Sequence, residues 1–344
     1  MNDNQYDLFV DICKNNSLNE IADKLELHVG TLRRWIEKKE VPSAYYFDLC
    51  RIGNIEVDYS QFSAKEKDQF FTESETAKYC FYRLRDVVSE YDDVESYTWI
   101  EPSAGNGSFY NLLPEDKRVG IDIEPFCDEI IKSDFLMWSP STEKNICIGN
   151  PPFGLRGNLA LKFINHASYF SEYVGFILPQ LFESSGKGNC KSRVKNLNLL
   201  SSEKIPSDFY YPDNTKVNVN VIFQIWSRNY GTKNVNINLD HLLKIYSLSD
   251  GGLPSNTRNK NYLYSCDFYL PSTCFGYDKM KIYTSFEDLP NRRGYGIIIR
   301  SEKEQLERII FDINWDEVCF KSTNGALNLR FDIIKDAIWN VLPK

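Results

Sequence analysis

Tyr97-Thr98-Trp99-Ile100-Glu101-Pro102-Ser103-Ala104-Gly105-Asn106-Gly107-Ser108-Phe109 is the stretch on which the fold turns. A short apolar run ends in an acid and passes straight into a turn holding two glycines. That pattern predicts a strand at 97–100 feeding, through the turn, the next helix: the first crossover of a nucleotide-type fold. Gly105 and Gly107 let the backbone approach a ligand closely. Glu101 at the strand end would repel a pyrophosphate and suits the ammonium group of a cationic amino-acid moiety. A Gly-x-Gly turn alone is weak evidence, so its company decides.

That company is a series of further strand ends. Gly120-Ile121-Asp122-Ile123-Glu124-Pro125 closes a second strand, where Asp122 can accept both hydroxyls of a ribose. Ser133-Asp134-Phe135 follows a short third strand, with a carboxylate able to accept from an adenine amino group and a ring to stack on it. Together the three acids would line one adenosine-shaped cleft; singly, each could instead cap a following helix. A fourth strand then runs into Gly149-Asn150-Pro151-Pro152-Phe153-Gly154. Two consecutive prolines cannot continue a sheet, and they stiffen a loop whose carbonyls lack ladder partners. An amide side chain and a fixed carbonyl are two acceptors aimed at one point. An aromatic NH2 needs that arrangement, because accepting both of its protons favours the pyramidal, nucleophilic nitrogen. Phe153 offers a face for a base swung out of a duplex.

Around these motifs, strands at 97–100, 118–122, 130–132, 145–148, 173–178 and 217–226 alternate with helices at 73–91 and 159–170, which predicts a doubly wound α/β domain. The helix at 73–91 has Ala77, Cys80, Leu84, Val87 and Val88 on its apolar face. Ahead of it lie helices at 6–14, 18–24 and 29–38. Ser17 and Glu20 form a capping box, and small Ala22 sits where two helices would meet. This stretch resembles the helix-turn-helix of phage-repressor-like proteins, closed by Val41-Pro42. The resemblance puts Thr31, Arg33, Arg34 and Lys38 on a helix that enters the major groove of DNA. A plain helical cap or a dimerisation module is the alternative. Residues 51–67 read as a linker. From Tyr230 the character changes to Asn, Tyr, Gly and short β-like runs, ending in a helix at 331–341. The expected domains are therefore 1–50, 68–229 and a mixed α+β module at 230–344.

The chain has 344 residues, 42% hydrophobic and 26% charged, an ordinary globular composition. No apolar run is long enough to span a membrane and the N-terminus lacks a signal-peptide layout, so a cytoplasmic location is expected. Nine scattered cysteines without a Cys-x-x-Cys pair read as reduced thiols, and three isolated histidines argue against zinc or a histidine base; no metal is expected. The net charge of -8 hides a dipole: residues 1–150 carry 16 basic against 29 acidic groups, residues 151–344 carry 24 against 19. The back half is the better candidate for a phosphate-facing surface, through Lys187, Lys191 and Arg193 on a loop at 183–193, and through Arg258, Lys260, Arg292 and Arg293 beyond. Solvated surface lysines and arginines are the plainer reading of each. Tyr262, Tyr264 and Tyr295 are either base contacts or core.

Glu101 to Gly107, the acid of Gly-Ile-Asp-Ile-Glu-Pro, Asp134-Phe135 and Asn-Pro-Pro-Phe occur in the order of the amino-methylating DNA methyltransferases. Asp68-Gln69-Phe70-Phe71-Thr72 resembles that family's extra cofactor motif before the first strand, and the layout is similar to its gamma arrangement, with target recognition C-terminal. The likeness covers 68 to about 228. It implies a Rossmann-like class I methyltransferase fold, S-adenosylmethionine as cofactor and N6 of adenine as acceptor. It implies cofactor contacts from Phe71, Thr72, Glu101, Pro102, Ser103, Ala104, Gly105, Asn106, Gly107, Asp122, Ile123, Asp134 and Phe135. Asn150, Pro151, Pro152 and Phe153 would handle the target base, a double-stranded DNA would be the substrate, and a cognate restriction endonuclease would be the partner of a modification enzyme. Phe replaces the commoner Tyr in the loop, which keeps the stacking face and loses a hydroxyl. Methylases of RNA guanine and of protein glutamine use a similar loop, so RNA and protein acceptors stay open. So does a non-catalytic helix-turn-helix regulator that only senses cofactor. Oligomeric state is not fixed by these residues.

Overall fold

The hydroxyl of Ser17 accepts from the Glu20 amide while the Glu20 carboxylate accepts from the Ser17 amide, and this reciprocal cap opens the second helix of the chain. Helices α1 (Asn2–Cys13), α2 (Leu18–Lys24), α3 (Val29–Lys38) and α4 (Tyr46–Ile52) surround a small core in which Phe9, Ile21, Leu25, Leu32 and Leu49 are fully buried. Trp35 meets the edge of Phe9 at 5.5 Å. The computed structural model describes residues 2–184, 189–206, 209–217, 219–231, 238–249, 259–275, 278–290, 292–322 and 325–342.

After β1 (Phe71–Thr72) comes α5 (Ser74–Ser89), whose buried face includes Ala77, Cys80, Leu84, Val87 and Val88, as the spacing predicts. Strands β2 (Thr98–Glu101), β3 (Arg118–Asp122), β4 (Ile131–Lys132) and β5 (Asn145–Gly149) lead through α6 (Asn158–Ala167) to β6 (Tyr173–Pro179). These five strands lie in the order β4-β3-β2-β5-β6 and are parallel throughout, the order of a doubly wound sheet. They belong to a mixed, mainly parallel sheet of seven strands. The helix expected after the glycine turn does not form. Residues 102–117 fold into 3-10 turns at Tyr110–Leu112 and Glu115–Lys117, because Gly105 (φ 48°) and Gly107 (φ 80°) hold left-handed conformations and Pro114 lacks an amide donor.

The strand expected at 217–226 is two strands. Lys216–Val217 (β9) pairs with Phe209–Tyr210 (β8), which in turn pairs with β1. Val221–Ser227 (β10) pairs antiparallel with Asn198–Lys204 (β7), with a bulge at Ile225/Trp226. The tail is of mixed α+β type. One three-stranded antiparallel sheet joins β11 (Leu243–Ser249), β14 (Arg293–Ile299) and β12 (Phe268–Pro271); another joins β13 (Thr273–Cys274), β16 (Leu327–Asn328) and β15 (Phe320–Lys321). Helices α7 (Lys303–Asp312), α8 (Trp315–Val318) and α9 (Phe331–Val341) share a core with them built on Ile297, Leu306, Ile310, Ile334 and Ile338.

The chain divides into two compact units, Met1–Phe176 with Asp208–Val217, and Ile177–Ser207 with Asn218–Lys344. The division falls inside β6, whereas the change of composition lies near 230. Residues 51–67 belong to the first unit, with the helices before them and the strands after. Among the described residues no helix is long and apolar enough to cross a membrane, and no group of three or more His, Cys, Asp or Glu could hold a metal ion. Among the described residues none of the nine cysteines is in a disulfide.

Candidate active site

Parallel strands of one doubly wound sheet end on the same edge, so acids placed at those ends are brought together whatever their separation in sequence. Glu101 ends β2, Asp122 ends β3, Asp134 follows β4 and Asn150 follows β5. All four line one cavity within the first unit, with about 980 Å³ of space, part of it open to solvent.

Glu101 is 2% exposed. The backbone amides of Tyr110 and Phe109 donate to its carboxyl, yet Oε2 has no partner, and burial pushes the group well above the usual carboxylate range, with nearby Asp122 adding to the rise. A buried acceptor without a donor is costly, and a ligand bearing N–H groups would relieve it. Asp122 Oδ2 accepts from the Gly105 amide at 2.7 Å and Oδ1 from the Glu124 amide at 2.8 Å; burial raises this carboxyl too, against the pull of those two bonds. The glycine turn is a cradle: a Cβ on Gly105 would lie 3.1 Å from the Phe71 ring. Asn106 donates to the Tyr210 hydroxyl at 3.2 Å and accepts from Ser108, which ties the turn to β8. Pro102, Ser103, Ala104 and Ile123 also face the cavity, whereas Gly107 does not line it. The set fits a ligand with an ammonium end, a diol and a base.

Asp134 is engaged on both oxygens. Oδ1 accepts from the Leu136 amide at 2.9 Å and Oδ2 from Arg51 Nε at 2.6 Å. Phe135, expected as an open stacking face, touches the cavity but is 1% exposed, with its ring stacked on Phe163 at 5.2 Å. It serves the core as much as the cleft.

The loop after β5 is clamped from a distance. Asp68 Oδ2 accepts from the amides of Phe153 at 2.5 Å and Gly154 at 2.7 Å. Burial raises the Asp68 carboxyl above its ordinary value while those two amides pull it down. Gly154 adopts φ 66°, and a Cβ there would stand 2.6 Å from the Leu159 Cβ, so no other residue fits. Asn150 Nδ2 donates to Thr72 Oγ1 at 3.2 Å, and Ser103 Oγ donates to the Asn150 carbonyl at 3.1 Å. Asn150 Oδ1 is left buried without a donor. Pro152 reaches the cavity; Pro151 and Phe153 do not line it. The Phe153 ring, read as an exposed platform, is 8% exposed and packs edge-on against Phe70 at 5.1 Å. Phe70 also meets Phe209, so Phe70 lies between the catalytic loop and β8.

Several residues of the cavity carry no recognisable motif. Phe47, Arg51 and Tyr59 line it from α4 and the segment read as a linker, and Lys67 pairs with Glu124 at its rim. Arg51 also pairs with Asp48 at 2.7 Å, and Asp48 with Lys162 of α6 at 2.7 Å. Partners 83 residues apart, as Arg51 and Asp134 are, leave no local pattern to read.

None of the described residues expected to meet DNA lines this cavity. Arg33, Arg34 and Lys38 are exposed on α3 and Thr31 is half-buried. In the second unit Lys191 and Arg193 lie on a half-buried 3-10 turn, and Lys260 and Arg293 are exposed. Arg292 is exposed and pairs with Glu287 at 3.2 Å. Lys187 and Arg258 fall outside the described residues. Of the tyrosines, Tyr295 is core at 9% exposed, Tyr262 stacks on Tyr246 at 4.2 Å, and Tyr264 is 76% exposed with its hydroxyl donating to Glu287.

No family model matches the chain. Over 87 residues it is 30% identical to the type II methyltransferase M.CvrRI of Paramecium bursaria Chlorella virus XZ-6E, a stretch amounting to 21% of this chain and 23% of that protein. The match therefore spans about a quarter of the relative's length. Among solved structures, a candidate RNA methyltransferase from Pyrococcus horikoshii is 13% identical with a TM-score of 0.35, covering 46% of this chain and 86% of that one. The M protein of the type I restriction enzyme EcoKI is 12% identical with a TM-score of 0.29, covering 39% and 40%.

Proposed function

We propose that the chain is an S-adenosylmethionine-dependent DNA methyltransferase acting on N6 of a flipped-out adenine within a specific site. The observation that carries this reading is the convergence of Glu101, Asp122, Asp134 and Asn150 on one cavity, two of them with buried oxygens lacking donors. The cofactor suits that set. Glu101 Oε2 would hold its ammonium, Asp122 its ribose hydroxyls and Asp134 its adenine, with Phe71 and Thr72 beside the glycine turn. When bound, it supplies a methyl group on a positively charged sulfur, so the acceptor needs no strong base beforehand.

The residues of the chain then position and polarise the acceptor. Asn150 Oδ1 accepts one proton of the target NH2, and its amide is held in orientation because Nδ2 is tied to Thr72 Oγ1. By the resemblance to the amino-methylating enzymes the Pro151 carbonyl is the second acceptor, while the Asn150 carbonyl accepts from Ser103 and holds the loop to the glycine turn. Asp68 fixes the loop through the amides of Phe153 and Gly154. Phe153 stacks on the base by giving up its edge contact with Phe70. The proton released after transfer passes to solvent.

Double-stranded DNA as substrate is supported by the 87-residue likeness to a type II methyltransferase and by the exposed Arg33, Arg34 and Lys38 of α3. A cognate restriction endonuclease and a cytoplasmic setting belong to the same proposal. The test is tritium transfer from labelled cofactor to DNA, RNA and protein pools. We expect label as N6-methyladenine in DNA, and label confined to RNA or to glutamine would overturn the choice of acceptor. Asn150→Ala should abolish transfer and keep affinity for S-adenosylhomocysteine within about threefold, since Asn150 acts on the acceptor. Full transfer by that variant would refute the mechanism.

A further inference from the structure

The cavity has a wall that none of the motifs supplies. Phe47 on α4 and Tyr59 just after it are both half-buried and both line the cavity, at 5.3 Å from one another. Phe62 buttresses Phe47 from behind at 4.9 Å. These rings are held beside Asp134 by a chain of charges: Lys162 to Asp48, Asp48 to Arg51, and Arg51 to Asp134, each at 2.6 or 2.7 Å. The side chains in that chain are at most 23% exposed, so the pairs are poorly screened and the geometry is stiff. Tyr59 lies near enough to Asp134 and Arg51 to feel both charges.

Half-exposed aromatic rings facing a cavity, next to a carboxylate that can accept from an amino group, form a site for a planar heterocycle. Phe135 cannot fill that role alone, since its own ring is stacked on Phe163 and almost wholly buried. We infer that the N-terminal helices complete the cofactor site, with Phe47 and Tyr59 forming the wall against which the purine lies and Arg51 positioning Asp134 at its edge. The inference rests on the cofactor reading above and extends it: the segment from 46 to 62 is cofactor-binding structure and not a tether between modules. Cofactor occupancy and the placement of α4 are then linked, and the linkage is reciprocal.

The experiment uses the full chain and S-adenosylhomocysteine as probe. Calorimetry on the wild type, Tyr59→Ala and Tyr59→Phe should give binding about tenfold weaker for the alanine variant, the scale of one base–aromatic stack, and near-normal binding for phenylalanine. Hydrogen exchange on the wild type should show amides within 46–62 slowing when the probe is added, a readout that needs no variant to fold. If the wild type binds and Tyr59→Ala binds within twofold of it, or if 46–62 gains no protection, the wall is wrong and the cofactor reading survives. If the wild type does not bind the probe at all, the cofactor reading fails and this inference with it.

Discussion

Asp68 is the residue whose removal tests the site most sharply. It stands 85 residues before Phe153, holds two backbone amides of the catalytic loop on one oxygen, and does so from a left-handed backbone conformation, φ 55°. A hydrogen bond to an ionised acceptor contributes roughly 1.5 to 3 kcal/mol, so the two together give a gross 3 to 6 kcal/mol. Burial of the carboxylate opposes this, as its raised pKa records, and the net loss of stability in Asp68→Ala should be about 1 to 3 kcal/mol. Alanine adds strain of its own, about 1 to 2 kcal/mol relative to glycine in that conformation. Asp68→Gly therefore removes the clamp without the strain, and the difference between the two variants isolates the backbone cost. The catalytic effect is of similar size, about 2.7 kcal/mol in the barrier, because a loop displaced by about 1 Å loses on the order of a hundredfold in rate. In a tritium-transfer assay both variants should fall about a hundredfold in kcat while S-adenosylhomocysteine affinity, measured by calorimetry, stays within about threefold. Asp68→Asn keeps an oxygen in place and should sit between. A kcat within twofold of wild type in Asp68→Gly would refute the clamp. Parallel loss of cofactor affinity and rate would mean that Asp68 serves the cofactor pocket instead.

Two further outcomes follow from the same geometry. Glu101 is raised above its ordinary 4.5 chiefly by burial, so the folded chain binds its proton more tightly than the unfolded chain does. Its favourable contribution to stability is complete below the unfolded pKa and is lost as pH rises through the folded one. Urea unfolding of the ligand-free wild type and of Glu101→Gln across pH 4 to 8 should show the wild type losing ground steadily to the variant as pH rises, and parallel curves would contradict the burial argument. Gly154→Ala forces a Cβ to 2.6 Å from Leu159 at a left-handed position; transfer should drop at least tenfold with cofactor affinity nearly unchanged, and wild-type kcat in that variant would show that the loop tolerates the shift.

The strand-end residues that line the cavity were legible because a parallel sheet converts strand ends into neighbours: the acids Glu101, Asp122 and Asp134 and the amide Asn150 needed only correct strand assignments to be placed on one edge. The helix expected after Gly107 failed for a local reason, two left-handed glycines and Pro114 within one short segment. What stayed hidden shares a different cause. Phe153 reads as an exposed ring until Phe70 is found packed edge-on against it, and 51–67 reads as a linker because short 3-10 turns have no apolar period to detect. Arg51 looks like any charge at the end of a helix; its two carboxylates, one 3 residues back and one 83 ahead, are joined only by the fold. Asp68 did leave a trace. A carboxylate set directly against Gln69-Phe70-Phe71-Thr72, a run bound for the interior, would cost several kcal/mol unless partnered, so its presence there already required donors from elsewhere in the chain. The sequence could say that such donors exist, and only the approach of the loop after β5 could say that they are the amides of Phe153 and Gly154.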